Sequence, residues 1–253
     1  MLLPAATAGR LYTNFSRLFL TDSVSDEVKF EVLAPYYYEK AQFGKERQLL
    51  LELAEGGHPE AQYNLGVLLE QSKGGEVDDK EAVHWLQRAQ EQGEAKAAGL
   101  LGFLFEKGRG VPADCQQAVK YYQIAMANND SEAMYLMALM YGRGDCVDKD
   151  YSKVVSLLKK EELQGHAEAQ RLLGYCYEKG FGVGRDVNLA RDIYWELAED
   201  NNVKAQVDLA VLLLNEDPEG NNAKALMWLK RAADQGSVDA VHLLDRIESL
   251  DLK

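Results

Sequence analysis

Apolar and small residues recur along this chain at helical spacing, and the helices they mark come in pairs. From Lys96 to Lys107, Ala97, Leu101, Gly102 and Phe105 fall at i, i+4, i+5 and i+8, one stripe of a helix. Gly108-Arg109-Gly110-Val111-Pro112-Ala113-Asp114 follows. Two glycines permit positive φ and end the helix, and Asp114 is placed to accept from the orphan N–H groups of the next one. That second helix carries Gln117, Ala118, Val119, Tyr121, Tyr122 and Ala125, and it stops near Asn128-Asn129. Asn takes the left-handed C′ conformation almost as Gly does.

The pattern then repeats. Ala61, Ala97, Ala133, Ala169 and Ala205 are evenly spaced, and five positions after each stands a small residue: Gly66, Gly102, Ala138, Gly174 or Ala210. A second row runs Ala82, Ala118, Val154, Ala190 and Ala225, its last step one residue short. A period of this length marks a stacked helical repeat, whose units bury their apolar faces only against their neighbours. The fold predicted is an all-α, α/α solenoid. The third unit is looser: Cys146 takes the loop position of Gly110 and Gly182, and Val154 and Glu161 replace alanines. The fifth is shortened, with Asp217-Pro218-Glu219-Gly220 as its turn, and a last half-unit starts at Asp239.

Ahead of the array, Glu46 to Gly57 matches a second helix. Residues 46–250 are therefore read as the repeat array, about five repeats with half-repeats at the ends. Residues 1–45 are read as an irregular N-terminal cap segment, in which Ser25 to Leu33 form a helix broken by Pro35.

Several stretches resemble the Sel-1-like repeat, a relative of the tetratricopeptide repeat: EAQYNLGVLLE, GRGVPADCQQAVKYYQIA, HAEAQRLLGYCYEKGFGVGRDVNLA and ALMWLKRAADQGSVDA. The combination of Ala-x3-Leu-Gly-x2-aromatic, Gly-x-Gly-Val-x2-Asp and Ala-x2-Trp-x3-Ala-Ala carries the resemblance, over roughly residues 46–250. It implies a right-handed superhelix of helix pairs with a concave face. It also implies adaptor or scaffold roles, often bacterial, with a few relatives reported as enzymes. Some relatives carry a cysteine pair in every repeat; this chain does not.

Composition narrows the partners. The net charge is −13 with no Lys/Arg cluster, so nucleic acid is not expected, and a basic protein or peptide suits the surface better. No apolar run is long enough to span a membrane. Cys115, Cys146 and Cys176 include no CxxC, and free thiols in a reducing, cytoplasmic setting are the simpler reading. An approach of Cys146 to Cys176 between neighbouring repeats is the alternative. At the N-terminus, Leu11, Phe15, Leu18 and Phe19 share one helical face and read as an amphipathic cap. A trimmed export signal, and hence a periplasmic or exported protein, is the alternative there.

No nucleophile elbow, phosphate loop or HExxH motif is present. His58 and His166 occupy the same junction slot before a first helix, and no ligand-spaced cluster suggests a metal or other cofactor. Two columns on the first helices remain. One is Val67, Phe103, Leu139, Tyr175 and Val211; the other, four residues earlier, is Tyr63, Gly99, Tyr135, Arg171 and Val207. In tetratricopeptide-like stacking both point into the groove, where aromatics make a peptide platform. The other reading packs them between repeats, away from solvent. Glu70, Lys96, Glu106, Lys107, Glu132, Glu168, Glu178 and Lys179 would rim the groove or be ordinary solvated residues. The candidate partner-binding residues are Tyr63, Val67, Phe103, Tyr135, Leu139, Arg171, Tyr175 and Val207, on a non-enzymatic scaffold whose oligomeric state the sequence leaves open. A toxin-neutralising inhibitor on the same repeats is the alternative function, and a groove hydrolase the third.

Overall fold

A computed structural model describes residues 25–217 and 221–251. The cap helix and export signal read at the N-terminus, and the Pro218–Gly220 part of the fifth repeat's turn, lie outside the described residues. The chain divides after Asn128 into two compact units. The first holds α1 (Phe43–Glu55), α2 (Pro59–Glu70), α3 (Asp79–Glu91), α4 (Lys96–Lys107) and α5 (Cys115–Ala127). The second holds α6 (Ser131–Arg143), α7 (Tyr151–Leu158), α8 (Ala167–Lys179), α9 (Val187–Glu199), α10 (Val203–Glu216), α11 (Asn222–Asp234) and α12 (Val238–Asp251). Within each unit the main packing runs from one helix to the next in the chain, as an α/α solenoid requires.

The two alanine rows are the seams of this packing. Ala61, Ala97, Ala133, Ala169 and Ala205 are buried, and so are Ala82, Ala118, Val154, Ala190 and Ala225. In three repeats the small residue of the first helix is a glycine that faces a large side chain on the second. A Cβ on Gly66 would lie 2.6 Å from Leu86 Cγ, one on Gly102 2.6 Å from Tyr122 Cδ1, and one on Gly174 2.7 Å from Tyr194 Cε1. Absence of a side chain is what brings the two helices together. Tyr122 and Tyr194 are fully buried, and each phenol donates to a carboxylate one helix back: Glu106 Oε2 at 2.9 Å and Glu178 Oε2 at 3.4 Å. A buried hydroxyl is tolerated only with such a partner.

Capping sets the boundaries. Asp78, Asp114, Asp150 and Asp186 each accept a backbone N–H at the start of a second helix. Gly108, Gly144 and Gly180 close first helices in the left-handed conformation, and Asn129 follows α5 with φ of 62°. The leading segment departs from expectation. Pro35 does not break it: a helical turn at Asp26–Val28 and a π-helical turn at Lys29–Leu33 lead directly into a helix at Ala34–Glu39. Pro35 sits in the first turn of that helix, where a missing N–H costs nothing. In the third repeat, α7 ends early at Leu158 and a 3₁₀ turn at Glu161–Leu163 follows.

The cysteines correct the expectation of three free thiols. Cys115 and Cys146 are disulfide-bonded, and only Cys176 is free and buried. Burial pushes the Cys176 thiol up to about 11, so it is an inert packing residue. Counting thiols in denaturant without reductant should find about one per chain; a count near three would contradict this arrangement.

Candidate functional site

In the first unit, Tyr63 and Val67 come from α2 and Phe103 from α4, and all three are half-buried. The Phe103 ring has Lys107 Nζ at 6.0 Å and the Arg109 guanidinium at 5.9 Å from its centroid. Arg109 is itself clamped. Its Nη2 and Nε donate to Asp79 Oδ1 and Oδ2 at 2.8 and 3.0 Å, and Nη1 donates to Glu70 Oε1 at 2.5 Å. A two-pronged guanidinium–carboxylate pair fixes both position and plane. The loop after α4 is thus stapled to the end of α2 and the start of α3.

In the second unit, Tyr135 and Leu139 come from α6, Arg171 and Tyr175 from α8, and Val207 from α10. Tyr175 is 41% exposed, and the other four are half-buried. Neither column is sealed: Val67, Phe103, Leu139 and Val211 all keep partial access to solvent. Val207 packs against the core around Tyr194, Leu209 and Trp228.

Tyr175 is held by its surroundings. Its ring meets Phe181 edge-on at 5.8 Å, Phe181 stacks on Tyr151 at 4.7 Å and 12°, and Lys179 Nζ lies 5.7 Å from the Tyr175 centroid. Tyr135 packs 4.8 Å from the His166 ring. Burial, with the negative charges of Glu168 and Glu132 adding to it, raises the Tyr135 pKa. Its hydroxyl therefore stays protonated at neutral pH and available as a donor.

His166 does what its junction slot suggested. Nδ1 accepts the Ala169 N–H at 3.2 Å, capping α8, and Nε2 lies 3.0 Å from Glu132 Oε2. Both ring nitrogens are engaged, one in the cap and one with Glu132. His58 caps α2 in the same way, through the Ala61 N–H.

Arg171 differs most from its reading as a binding anchor. Its Nη1 donates to Asp208 Oδ2 at 2.8 Å and its Nε to Glu168 Oε2 at 3.4 Å, while Lys204 reaches Glu168 from α10 at 3.2 Å. Burial raises the Asp208 pKa despite Arg171, with Glu178 and Glu168 adding to the rise. Arg171 offsets the cost of that half-buried carboxylate and ties α8 to α10. Most rim charges are likewise engaged: Glu106 with Lys107, Glu178 with Lys179 and Glu70 with Arg109.

The reading of the columns missed Phe181 and Tyr151, although the repeat spacing holds the signal. Phe181 occupies the slot of Arg109, and Tyr151 the slot of Asp79. The first unit staples its loop with an ion pair and the second with stacked rings. Cys146 and Cys115 fall in the neighbouring loop slot and the same helix-start slot.

A family model of the Sel1 repeat matches residues 59–94, 95–130, 131–160, 167–201 and 203–237. The chain belongs to the Sel1 repeat family. The gap between the third and fourth Sel1 repeats coincides with the early end of α7 and the turn that replaces its last residues. Sel1 repeats generally serve as protein-interaction scaffolds, and their fold is typically non-enzymatic.

Among solved structures, the chain is similar to a Sel1 repeat protein from Oxalobacter formigenes, with 28% identity over 84% of this chain and 88% of that one, at a TM-score of 0.72. It is also similar to a protective antigen of uropathogenic Escherichia coli strains that displays an SLR fold, with 26% identity over 84% of this chain and a TM-score of 0.69. The chain covers 48% of that antigen, about half its length. A putative Sel1 repeat protein from Klebsiella pneumoniae subsp. pneumoniae shares the fold at 22% identity, covering 81% and 99% of the two chains at a TM-score of 0.50. No curated protein matches the chain. No helix among the described residues is long and apolar enough to cross a membrane.

Proposed function

We propose that this chain is a non-enzymatic scaffold that binds a partner protein or peptide on the exposed face of its first helices. The observation that carries the reading is the Tyr175 ring, open to solvent yet held by Phe181, Tyr151 and Lys179. An aromatic held in place before binding loses little entropy on contact, which is why such residues dominate hot spots. Tyr135 lies one repeat away on the same column system, with a protonated hydroxyl. In the first unit, Phe103 between Lys107 and Arg109, with Tyr63 and Val67, offers the corresponding surface. The acidic balance of the chain suits a basic partner. The disulfide-bonded state of Cys115 and Cys146 supports an exported protein over a cytoplasmic one.

The test begins with a partner captured by the full chain. Tyr135→Ala with Tyr175→Ala should weaken its affinity at least ~30-fold, the effect of about 2 kcal/mol expected of hot-spot rings, and leave helical content unchanged. Arg171 is left intact, because removing it would strand Asp208. Lys120→Glu, on a second helix, should matter little. If Lys120→Glu abolishes binding and the tyrosine pair does not, the partner uses another face.

A further inference from the structure

A cleft of about 300 Å³ opens in the second unit between the start of α8 and the end of α9. Its walls are of two kinds. Ala167, Ile193 and Leu197 give an apolar strip, and Gln170, Glu196 and Asp200 give oxygens. No Lys or Arg lines it.

The repeat explains why it is open here. The slot of Gln170 holds Gln62 in the first repeat and Gln206 in the fifth, and both of those are fully buried. Each donates through Nε2 to a carbonyl of the preceding helix, Ala54 O at 3.0 Å or Ala198 O at 3.2 Å. Each also accepts through Oε1 from a second glutamine: Gln92 Nε2 at 2.7 Å and Gln235 Nε2 at 2.9 Å. Those two glutamines share one repeat slot, and in the fourth repeat that slot holds Asp200.

A carboxylate has no hydrogen to give. Gln170 keeps the first bond, Nε2 to Leu163 O at 2.9 Å, but no donor among the described residues reaches its Oε1. Gln170 is half-buried where its counterparts are sealed, and it lines the cleft together with Asp200. Elsewhere in the chain, then, the same oxygen is occupied by an N–H donor on a flexible stem. Here that donor is missing, and Glu196 and Asp200 add negative charge around its place.

We propose that this cleft binds an alkylguanidinium group, with the alkyl stem along Ile193 and Leu197 and the planar head donating to Gln170 Oε1 and the carboxylates of Asp200 and Glu196. Guanidinium presents N–H groups in a rigid fork, which matches several acceptors in one plane better than a single ammonium does. The cleft size is at the lower end for small-ligand sites and suits one side chain. The acceptors here are Gln170, Asp200 and Glu196 rather than the tyrosine rings, so the inference stands whether or not those rings bind a partner.

The full chain, ¹⁵N-labelled, is titrated with N-acetyl-arginine methylamide, its citrulline counterpart and butylguanidinium, following the Gln170 and Asn201 resonances. Saturable shifts are expected with both guanidinium probes. Binding of citrulline, which has the same shape without the charge, should be at least ~10-fold weaker. An arginine-containing tripeptide that binds more tightly than butylguanidinium would identify the source as a protein side chain; equal affinities would identify a free small cation. Asp200→Gln restores the pair of glutamines that the chain already uses twice, so it should fold normally and weaken the guanidinium probes at least ~10-fold. Three results would each overturn the proposal: no saturable shift, equal binding of citrulline, or an Asp200→Gln chain that binds as before.

Discussion

Gly182→Ala should destabilise the second unit by about 3 kcal/mol. Two costs combine. Gly182 has a φ of 67°, where a residue with a Cβ loses roughly 1–2 kcal/mol. The added Cβ would also lie inside the van der Waals envelope of the Tyr151 carbonyl. Backbone at the start of a capped helix cannot swing aside as a side-chain tip can, and overpacking of this kind costs roughly 1–3 kcal/mol. Gly184→Ala, two residues on, is the control, because a Cβ there would meet no atom within 4 Å. Urea denaturation followed by circular dichroism should show a clear loss for the first variant and a change within about 0.5 kcal/mol for the second. Equal midpoints would mean that the loop does not rest on the start of α7.

Gly174→Leu should cost about as much, by a different route. Here the backbone is ordinary helix, and the obstacle is the buried ring of Tyr194. That ring cannot retreat without losing its place in the core and its bond to Glu178. Overpacking a sealed contact gives roughly 1–3 kcal/mol, and the bulk of leucine puts it at the upper end. The remedy is already in the chain. In the third repeat the same two slots hold Ala138 and Leu158, both fully buried. Gly174→Ala alone should therefore be destabilising, and Tyr194→Leu added to it should recover part of the loss. A double variant whose loss simply equals the sum of the two single losses would show that the two positions do not face each other.

Much of this architecture was legible because the repeat states it five times. One small residue in a helix is weak evidence; Gly66, Gly102, Ala138, Gly174 and Ala210 in register mark a seam. The aspartate caps and glycine stops were legible for a local reason, since each acts within a turn of its own position. What escaped were features that depend on a residue in another repeat. Arg171 looks like an anchor until Asp208 is placed beside it. Phe181 looks like loop filler until Tyr151 lies beneath it. The cysteines read as free thiols, with Cys146 and Cys176 as the alternative pair, because Cys115 shows nothing in sequence that brings it to another cysteine; the bonded ones are Cys115 and Cys146. Pro35 was misplaced for a simpler reason, because a proline in the first turn of a helix and one that breaks a helix look alike in sequence.

The loop staples carry a consequence for how such a chain can change. In one unit the two slots hold Arg109 and Asp79, and in the other Phe181 and Tyr151. Either chemistry works, but the halves are not interchangeable: a phenylalanine over Asp79 would leave that carboxylate without its guanidinium, and an arginine over Tyr151 would give up the two-pronged carboxylate pair for a weaker cation–π contact. Each staple joins a loop to the repeat before it, so a single repeat lifted out and inserted elsewhere would bring the loop half of one staple and the helix half of another. The heritable module of this array is therefore offset from the visible one. It begins in one helix pair and ends in the next, and duplication or shuffling that respects this frame preserves the fit, whereas cutting at the helix-pair boundary does not.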